Sequence, residues 1–591
     1  MSVGFVTLAV AAFVGFGPTN GWKTVNYQDK LSLAFSEAGL HVGGAAKKGD
    51  TAWNVTSGRT PLADGARELR VEVRIRSTRG LGNQNAAADH GNKVIWYGED
   101  GKQLSISPLS LPCPSSSKPI RVWDVVAVPA GACSYAIRFG FDRPDLGPSD
   151  SLDFSGLTCR ELVSSGVEKA GIEIPDLHVP TIEVSGAGCF RIDDPSGVVP
   201  SSVRISVDGT PRTQVRQEGY VWKVHGEEWA PGLHIAEIEV ENGLGNRTRE
   251  KRAFYIGETP KASVVTIRGD GVTLVDGEPF FPIGAYNVKK DACNGRDLDR
   301  AFADLKEMGF NFAHTYEKIH SGPNAGFLDA AARNGFKLFI SAREAAEDKT
   351  FETVTRFHPS VLAWYLADDT ADNTSPEELR FFDSVSRALD PDRPTCQADG
   401  IPFAGLEHAG ISRYSNYVTG ADVCMPEIYP IRSDVKTDTH ATCVATVRRA
   451  MRMVKHDIAT RNDGKPRAIW PILQAFRGWE RWPEFPTFRE LYATTFAALA
   501  EGAQGMTWYT YCGWGKNEGF AVRPEFRADT KTVATRIREL IPVLTAPAMD
   551  AQAAVTVLEG PEKDPLGVPV VSCRLMFQGD AWHLLAVIAS A

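Results

Sequence analysis

HPSVLAWYLADDTADNTSPEELRFFDSVSRALDPDRPTCQADG, residues 358–400, carries a strand, a helix and a second strand in that order. The apolar run within 358–369 reads as a buried strand ending on the acidic pair Asp368-Asp369. The helix has its start written into it. Ser375 stands at the N-cap, Pro376 at the first helical position, and Glu378 closes a capping box. PTCQADG, residues 394–400, follows as the next strand. A strand, a helical crossover and another strand at this spacing form a parallel βαβ unit.

The same alternation extends to both sides. Upstream, FFPIGAYN (280–287) is strand one, and DLDRAFADLKEMGF (297–310) is a helix with apolar residues at 298, 301, 302, 305 and 308 and Gly309 as its stop. NFAHTYE (311–317) is strand two. The helix FLDAAARNG leads to strand three, KLFISAR (337–343). Downstream, DVCMPEIYP (422–430) is strand six and a long helix spans 440–456. RAIWPILQAF (467–476) is strand seven, Thr487 to Glu490 is a second capping box opening a helix over 487–501, GMTWYTYCGW (505–514) is strand eight, and a helix spans 529–541. Eight strand–helix repeats over residues 261–545 predict a (β/α)8 barrel. A doubly wound sheet is the competitor, and no glycine-rich phosphate loop follows any strand to favour it.

The flanks have a different texture. Residues 18–165 alternate with period two, as in LRVEVRIRS (69–77), KVIWYGE (93–99) and SYAIRFGF (134–141), and predict a β-sandwich of the carbohydrate-binding jelly-roll type, which by analogy alone is either a binding module or a structural spacer. Residues 166–260 predict a second, immunoglobulin-like sandwich, with Asp208-Gly209 and Gly245-Asn246 supplying the positive-φ positions that hairpins need. Residues 546–591 return to β texture and predict a short, partial β domain. Residues 1–17 are apolar and resemble the core of a secretory signal, with no Lys or Arg before it. The segment is either an export signal or a strand, and export is the expectation adopted.

Composition narrows the function. The chain has 591 residues, 43% hydrophobic and 23% charged, with a net charge of −9 and no block of like charges, so a nucleic-acid partner is not expected. No apolar stretch is long enough to predict a membrane span. Of the ten Cys, no pair is spaced C-x2-C, and the His are scattered, so neither a metal nor another cofactor is expected. Cys396, Cys424 and Cys512 are expected as buried free thiols, whereas a Cys113–Cys133 disulfide is left open.

In a (β/α)8 barrel the chemistry sits at the C-terminal ends of the strands. The carboxylates there are Glu317, Glu344, Asp368, Asp369, Asp399 and Glu427, with Glu480 and Glu484 after strand seven. Residues 358–394 resemble the strand-four region of bacterial glycoside hydrolases of the clan A type, "HPSVxGWYxxDEP" followed by "xxDPxRP". The resemblance continues more weakly through DVCMPEIYPI, PILQAFRGW and EGAQGMTWYTY, about 250 residues in all. It implies a secreted, polysaccharide-degrading glycosidase without cofactor. Asp369 takes the position of the proton donor and Asp368 that of the residue before it.

Two departures from the family pattern bear on mechanism. The donor is Asp where the family has Glu, one methylene shorter. The strand-seven nucleophile position holds Gln474, and an amide cannot form a glycosyl ester. The second carboxylate is then Glu427, or Glu480 or Glu484 acting on water. Otherwise the Asp368-Asp369 pair works as in hexosaminidases, whose substrate acetamide attacks. A catalytically degenerate, carbohydrate-binding barrel is the alternative from a different class. His314, Tyr316, Gln397, Tyr429, Gln474 and Arg477 are expected to hydrogen-bond a sugar, and Trp508, Tyr509 and Trp514 to stack on it.

Overall fold

A computed structural model of the chain describes residues 10–12, 21–26, 32–36, 39–44, 53–78, 92–109, 111, 119–141, 146, 149–162, 180–194, 196–225, 229–243, 245, 247–257, 263–289, 297–319, 326–343, 355–370, 374, 376–400, 417–431, 440–460, 464–478, 482–513, 517–548, 553–563 and 569–588. They fall into two compact units. The first comprises 1–257 with 369–385 and 404–417, and the second 258–368 with 386–403 and 418–591.

The second unit holds the barrel. Its strands are β1 (Ile283–Ala285), β2 (Phe312–Ala313), β3 (Lys337–Ser341), β4 (Val361–Ala367), β5 (Thr395–Gly400), β6 (Val423–Ile428), β7 (Ala468–Ile469 and Ile472–Gln474) and β8 (Met506–Tyr509). Every ladder is parallel, and the ring closes where Gly284 of β1 pairs with Thr507 of β8. Pro471, without an N–H to give to a ladder, separates the two pieces of β7. The predicted barrel is therefore present.

The described helices are α1 (Leu298–Glu307), α2 (Phe327–Asn334), α3 (Pro376–Leu389), α4 (His440–Thr460), α5 (Phe488–Ala500) and α6 (Pro524–Leu544). The connections after β3 and β5 lie largely outside the described residues, as does the expected Ser375 cap. Asp297 caps α1 by accepting from the Arg300 N–H at 2.7 Å, and Gly309 follows that helix with φ 95°. Thr487 and Glu490 form the expected capping box on α5. Thr487→Ala is expected to cost about 1 kcal/mol of stability, read as a lowered urea midpoint at unchanged slope.

Strand one differs from its predicted span. Val265–Ile267, Thr273–Val275 and Glu278–Phe280 form a separate antiparallel sheet, turned at Asp276 (φ 52°) and Gly277 (φ 87°), so β1 begins only at Ile283. Val265 of that sheet joins the barrel core of Phe312, Phe339, Leu362, Val423, Trp470 and Ile472. The chain's last described stretch is a hairpin, Val571–Gln578 against Ala581–Ile588. It is tied down by polar groups: buried Arg448 Nε donates to Ser572 Oγ at 2.5 Å, Ser572 Oγ donates to buried Glu501, and the more exposed Arg452 donates from Nε to Glu501 at 2.9 Å.

The first unit contains two sandwiches. In one, a sheet of 120–127, 68–77, 151–162, 39–43 and 32–36 faces a sheet of 23–26, 53–56, 134–141, 93–97 and 103–108 around Trp53, Trp96, Phe139 and Phe154. Val10–Ala12, inside the apolar start, pairs antiparallel with Cys159–Glu161. The other has two four-stranded sheets around Phe190, Trp222, Ile238 and Phe254. Asp208 (φ 51°) and Gly209 (φ 76°) turn its 204–212 hairpin, as their sequence suggests.

Among the described cysteines, Cys396 and Cys424 are free and buried as expected. Cys133 is also free, and Cys113, the other half of the pairing left open, lies outside the described residues. Cys512 corrects the expectation of a free thiol: it is disulfide-bonded.

Candidate active site

At the C-terminal ends of the strands, the barrel is lined by aromatic side chains. Tyr286 follows β1, His314 and Tyr316 follow β2, Phe339 lies in β3, Tyr365 in β4, Tyr429 follows β6 and Tyr509 ends β8. Their rings touch. The His314 ring lies 4.5 Å from Phe339, 4.6 Å from Tyr316, 4.8 Å from Tyr286 and 5.1 Å from Tyr365, centroid to centroid. Tyr509 lies 5.9 Å from Tyr429 and 6.0 Å from Tyr286.

Two carboxylates bear on this cluster. Asp368, one residue past β4, accepts a hydrogen bond from the Tyr365 hydroxyl, and the Tyr286 hydroxyl lies 3.4 Å from that of Tyr365. Burial, then the charge of Asp368, raises the pKa of Tyr286, Tyr316 and Tyr365 well above the ordinary phenol value, and Glu427 adds to it. For Tyr429 burial comes first, then Glu427, with Asp368 also contributing. The four phenols therefore remain protonated donors. Tyr365, which bonds Asp368, and Met425 of β6 pack in the same core cluster, and Glu427 follows Met425 by two residues on the same face of its strand, so the two carboxylates face one basin. Their strands are two ladders apart, about 9.5 Å at the backbone, and their side chains reach inward from there.

His314 is fully buried, and burial lowers its pKa to about 3, so its imidazole is neutral. No described group hydrogen-bonds its Nδ1. It is a floor of the basin rather than a base. Asp369 takes a different path from Asp368. Its backbone is left-handed, φ 44°, a conformation costing an L-residue about 1 kcal/mol, and its side chain is exposed. The motif position of the donor thus sits on the surface, while its neighbour meets the tyrosines.

Other expected residues are committed elsewhere. Gln474 is buried and clamps backbone: its Oε1 accepts from the Ile431 N–H at 3.0 Å, and its Nε2 donates to the carbonyls of Ile431 and Phe476 at 3.3 and 3.4 Å. It offers no group to a sugar, which corrects that expectation. Gln474→Glu is expected to destabilise by about 1–3 kcal/mol, because a carboxylate would face two carbonyl oxygens it cannot donate to; urea unfolding measures it.

Trp508 is likewise corrected. It is fully buried, edge-on to Phe310 at 5.5 Å, while its strand neighbour Tyr509 packs with the barrel core, as strand alternation requires. Gln397 is fully buried within β5. Arg477 donates from Nε to Glu518 at 3.2 Å, where Arg523 also pairs. Trp514, Glu480 and Glu344 lie outside the described residues, Glu484 is exposed, and Glu317 lies 3.8 Å from Lys289.

Sequence reasoning missed Tyr286 and Tyr365. The signal was present: Tyr365 stands three residues before Asp368, close enough to reach back to it. Among the described residues no group of three His, Cys, Asp or Glu side chains is placed to hold a metal ion, and no helix is long and apolar enough to cross a membrane.

No family model matches the sequence, and no curated protein matches it. Several solved structures are similar in part. An FMN-binding β-glucuronidase from Facaelibacterium prausnitzii L2-6 is 12% identical, with 88% of this chain and 82% of that one covered and a TM-score of 0.32. A putative β-galactosidase from Bacteroides fragilis is 11% identical over 85% and 80%, TM-score 0.30. A family 39 glycoside hydrolase from Bacteroides cellulosilyticus WH2 is 14% identical over 70% and 90%, TM-score 0.35. At such values no residue role transfers from those proteins to this chain.

Proposed function

We propose that this chain is a glycoside hydrolase acting on a poly- or oligosaccharide, with Asp368 and Glu427 as its working carboxylates. The observation that carries the reading is the buried phenol cluster at the C-terminal end of a closed barrel, with Asp368 hydrogen-bonded to Tyr365 and Glu427 on the inward face of β6 two residues past the core residue Met425. The strand-four motif supports it independently. Glycosidic cleavage needs a proton for the leaving oxygen and a negative charge for the anomeric carbon. Asp368, already an acceptor for Tyr365, suits the charged role. Glu427 acts in its protonated form and gives that proton to the glycosidic oxygen as the carbon–oxygen bond breaks. Water adds to the anomeric carbon, and its proton returns to Glu427. The protonated phenols bind sugar hydroxyls, and their rings exclude water.

The leaving group discriminates the donor. Glu427→Gln is expected to lose about 100-fold or more on unactivated glycosides and far less on dinitrophenyl glycosides, whose leaving group needs no proton. If Asp369→Asn shows that pattern and Glu427→Gln does not, the donor is Asp369 and the assignment to Glu427 fails. A chain that binds glycans in a broad panel and cleaves none would instead be a binding barrel.

We also infer export, on the disulfide at Cys512, because such bonds persist in oxidising compartments. A Cys512 thiol that reacts fully in unreduced protein taken from cells would refute it.

A further inference from the structure

The first sandwich has one unusual face, and it is independent of the barrel chemistry. Strand 68–77 buries Leu69, Val71, Val73 and Ile75 and turns Arg70, Glu72, Arg74 and Arg76 outward. Its neighbours add Arg121 and Trp123 on one side and Asp153 and Arg160 on the other. Glu72 is shared by Arg70 and Arg121 at 3.2 and 2.5 Å, and Asp153 is taken by Arg76 at 2.6 Å.

Arg74 and Arg160 are exposed, and neither has an ion pair among the described residues. Each also stands directly opposite another arginine, Arg74 across from Arg121 and Arg160 across from Arg70. Like charges directly opposed across strands are destabilising, and an anion laid between them reverses the sign. Arg70 and Arg121 lie over the Trp123 ring at 4.7 and 5.4 Å, which makes a half-buried flat platform edged with guanidinium groups. Four residues of strand separate the two unpaired arginines, about 13 Å.

We infer that this sheet face binds an acidic polysaccharide whose carboxylates are spaced along its chain. The planar guanidinium fork matches a carboxylate bidentately, and Trp123 holds two of these forks flat on the sheet by stacking. A duplex nucleic acid is disfavoured by the chain's net charge of −9, which repels a dense polyanion beyond the patch.

The test uses the full chain in affinity gels containing polygalacturonate, with a neutral β-glucan and sheared duplex DNA as comparison probes. Polygalacturonate should retard the protein at low salt, and the glucan should not. Arg74→Gln with Arg160→Gln should weaken retardation at least about tenfold, and the Lys pair should fall between, since it keeps charge and loses the fork. Circular dichroism confirms that these exposed changes leave the fold intact. The proposal is overturned by a wild-type chain that polygalacturonate does not retard, by equal retardation of the Gln pair, or by DNA binding as tight as that of polygalacturonate.

Discussion

Asp368→Asn is expected to lower kcat by about 100- to 10,000-fold on any glycoside the wild-type chain cleaves, with little change in stability. The substitution keeps the size of the side chain and an oxygen to accept from Tyr365, so the basin keeps its shape. What it removes is the negative charge facing the position of the sugar. That charge acts among buried aromatic rings, where water does not screen it, so its loss weighs more than on the surface. Tyr365→Phe leaves the carboxylate but removes the hydroxyl that orients it. It should therefore cost less, because the charge stays and only its orientation loosens. Full activity in Asp368→Asn together with loss in Asp369→Asn would move the chemistry to the rim and sink this assignment.

The barrel was legible because its signals are local. Apolar runs of strand length, helices with a 3.6 period and the cap at Thr487 each depend on a few adjacent residues. The site was only half legible. A motif orders residues along the chain, and Asp368 and Asp369 are adjacent in it. Asp368 meets Tyr365, while the chain turns left-handed at Asp369, φ 44°, and the order of residues does not announce that turn. Trp508 and Tyr509 are different: neighbours in a strand face opposite ways, so both could never have lined one pocket. Gln474 reads as a lost nucleophile, yet its amide serves the backbone of Ile431, 43 residues distant. Cys512 gave no clue in its spacing.

The segment RTREKRAF, 247–254, shows the limit most clearly. Its alternation buries Thr248, Glu250 and Arg252, two of them charged, and the reason lies 130 residues away. Arg380 donates to Glu250 at 2.6 Å, Arg252 pairs with the same carboxylate, and Arg252 Nε donates to the Ile182 carbonyl at 2.8 Å. Glu250→Ala is expected to destabilise the first unit by about 3–5 kcal/mol, because Arg252 is left charged and buried without the carboxylate it pairs with directly. Removing Arg252 as well, as Arg252→Met, should recover much of the loss, since the penalty belongs to the orphaned charge rather than to the pair.

The pH dependence has a definite sign. Burial alone would raise the pKa of Glu250, but Arg252 and then Arg380 outweigh it and hold it below the ordinary carboxylate value. A depressed folded-state pKa contributes stability above the unfolded value of about 4.3, and that contribution fades as pH falls through the folded value. The gap between wild type and Glu250→Ala should thus be full at pH 7 and narrow progressively below about pH 4. Hydrogen exchange of the backbone amides of 247–256 in rising urea reads this strand apart from the barrel. A gap under about 1 kcal/mol at pH 7, or one that widens on acidification, would show that the carboxylate does not hold this network together.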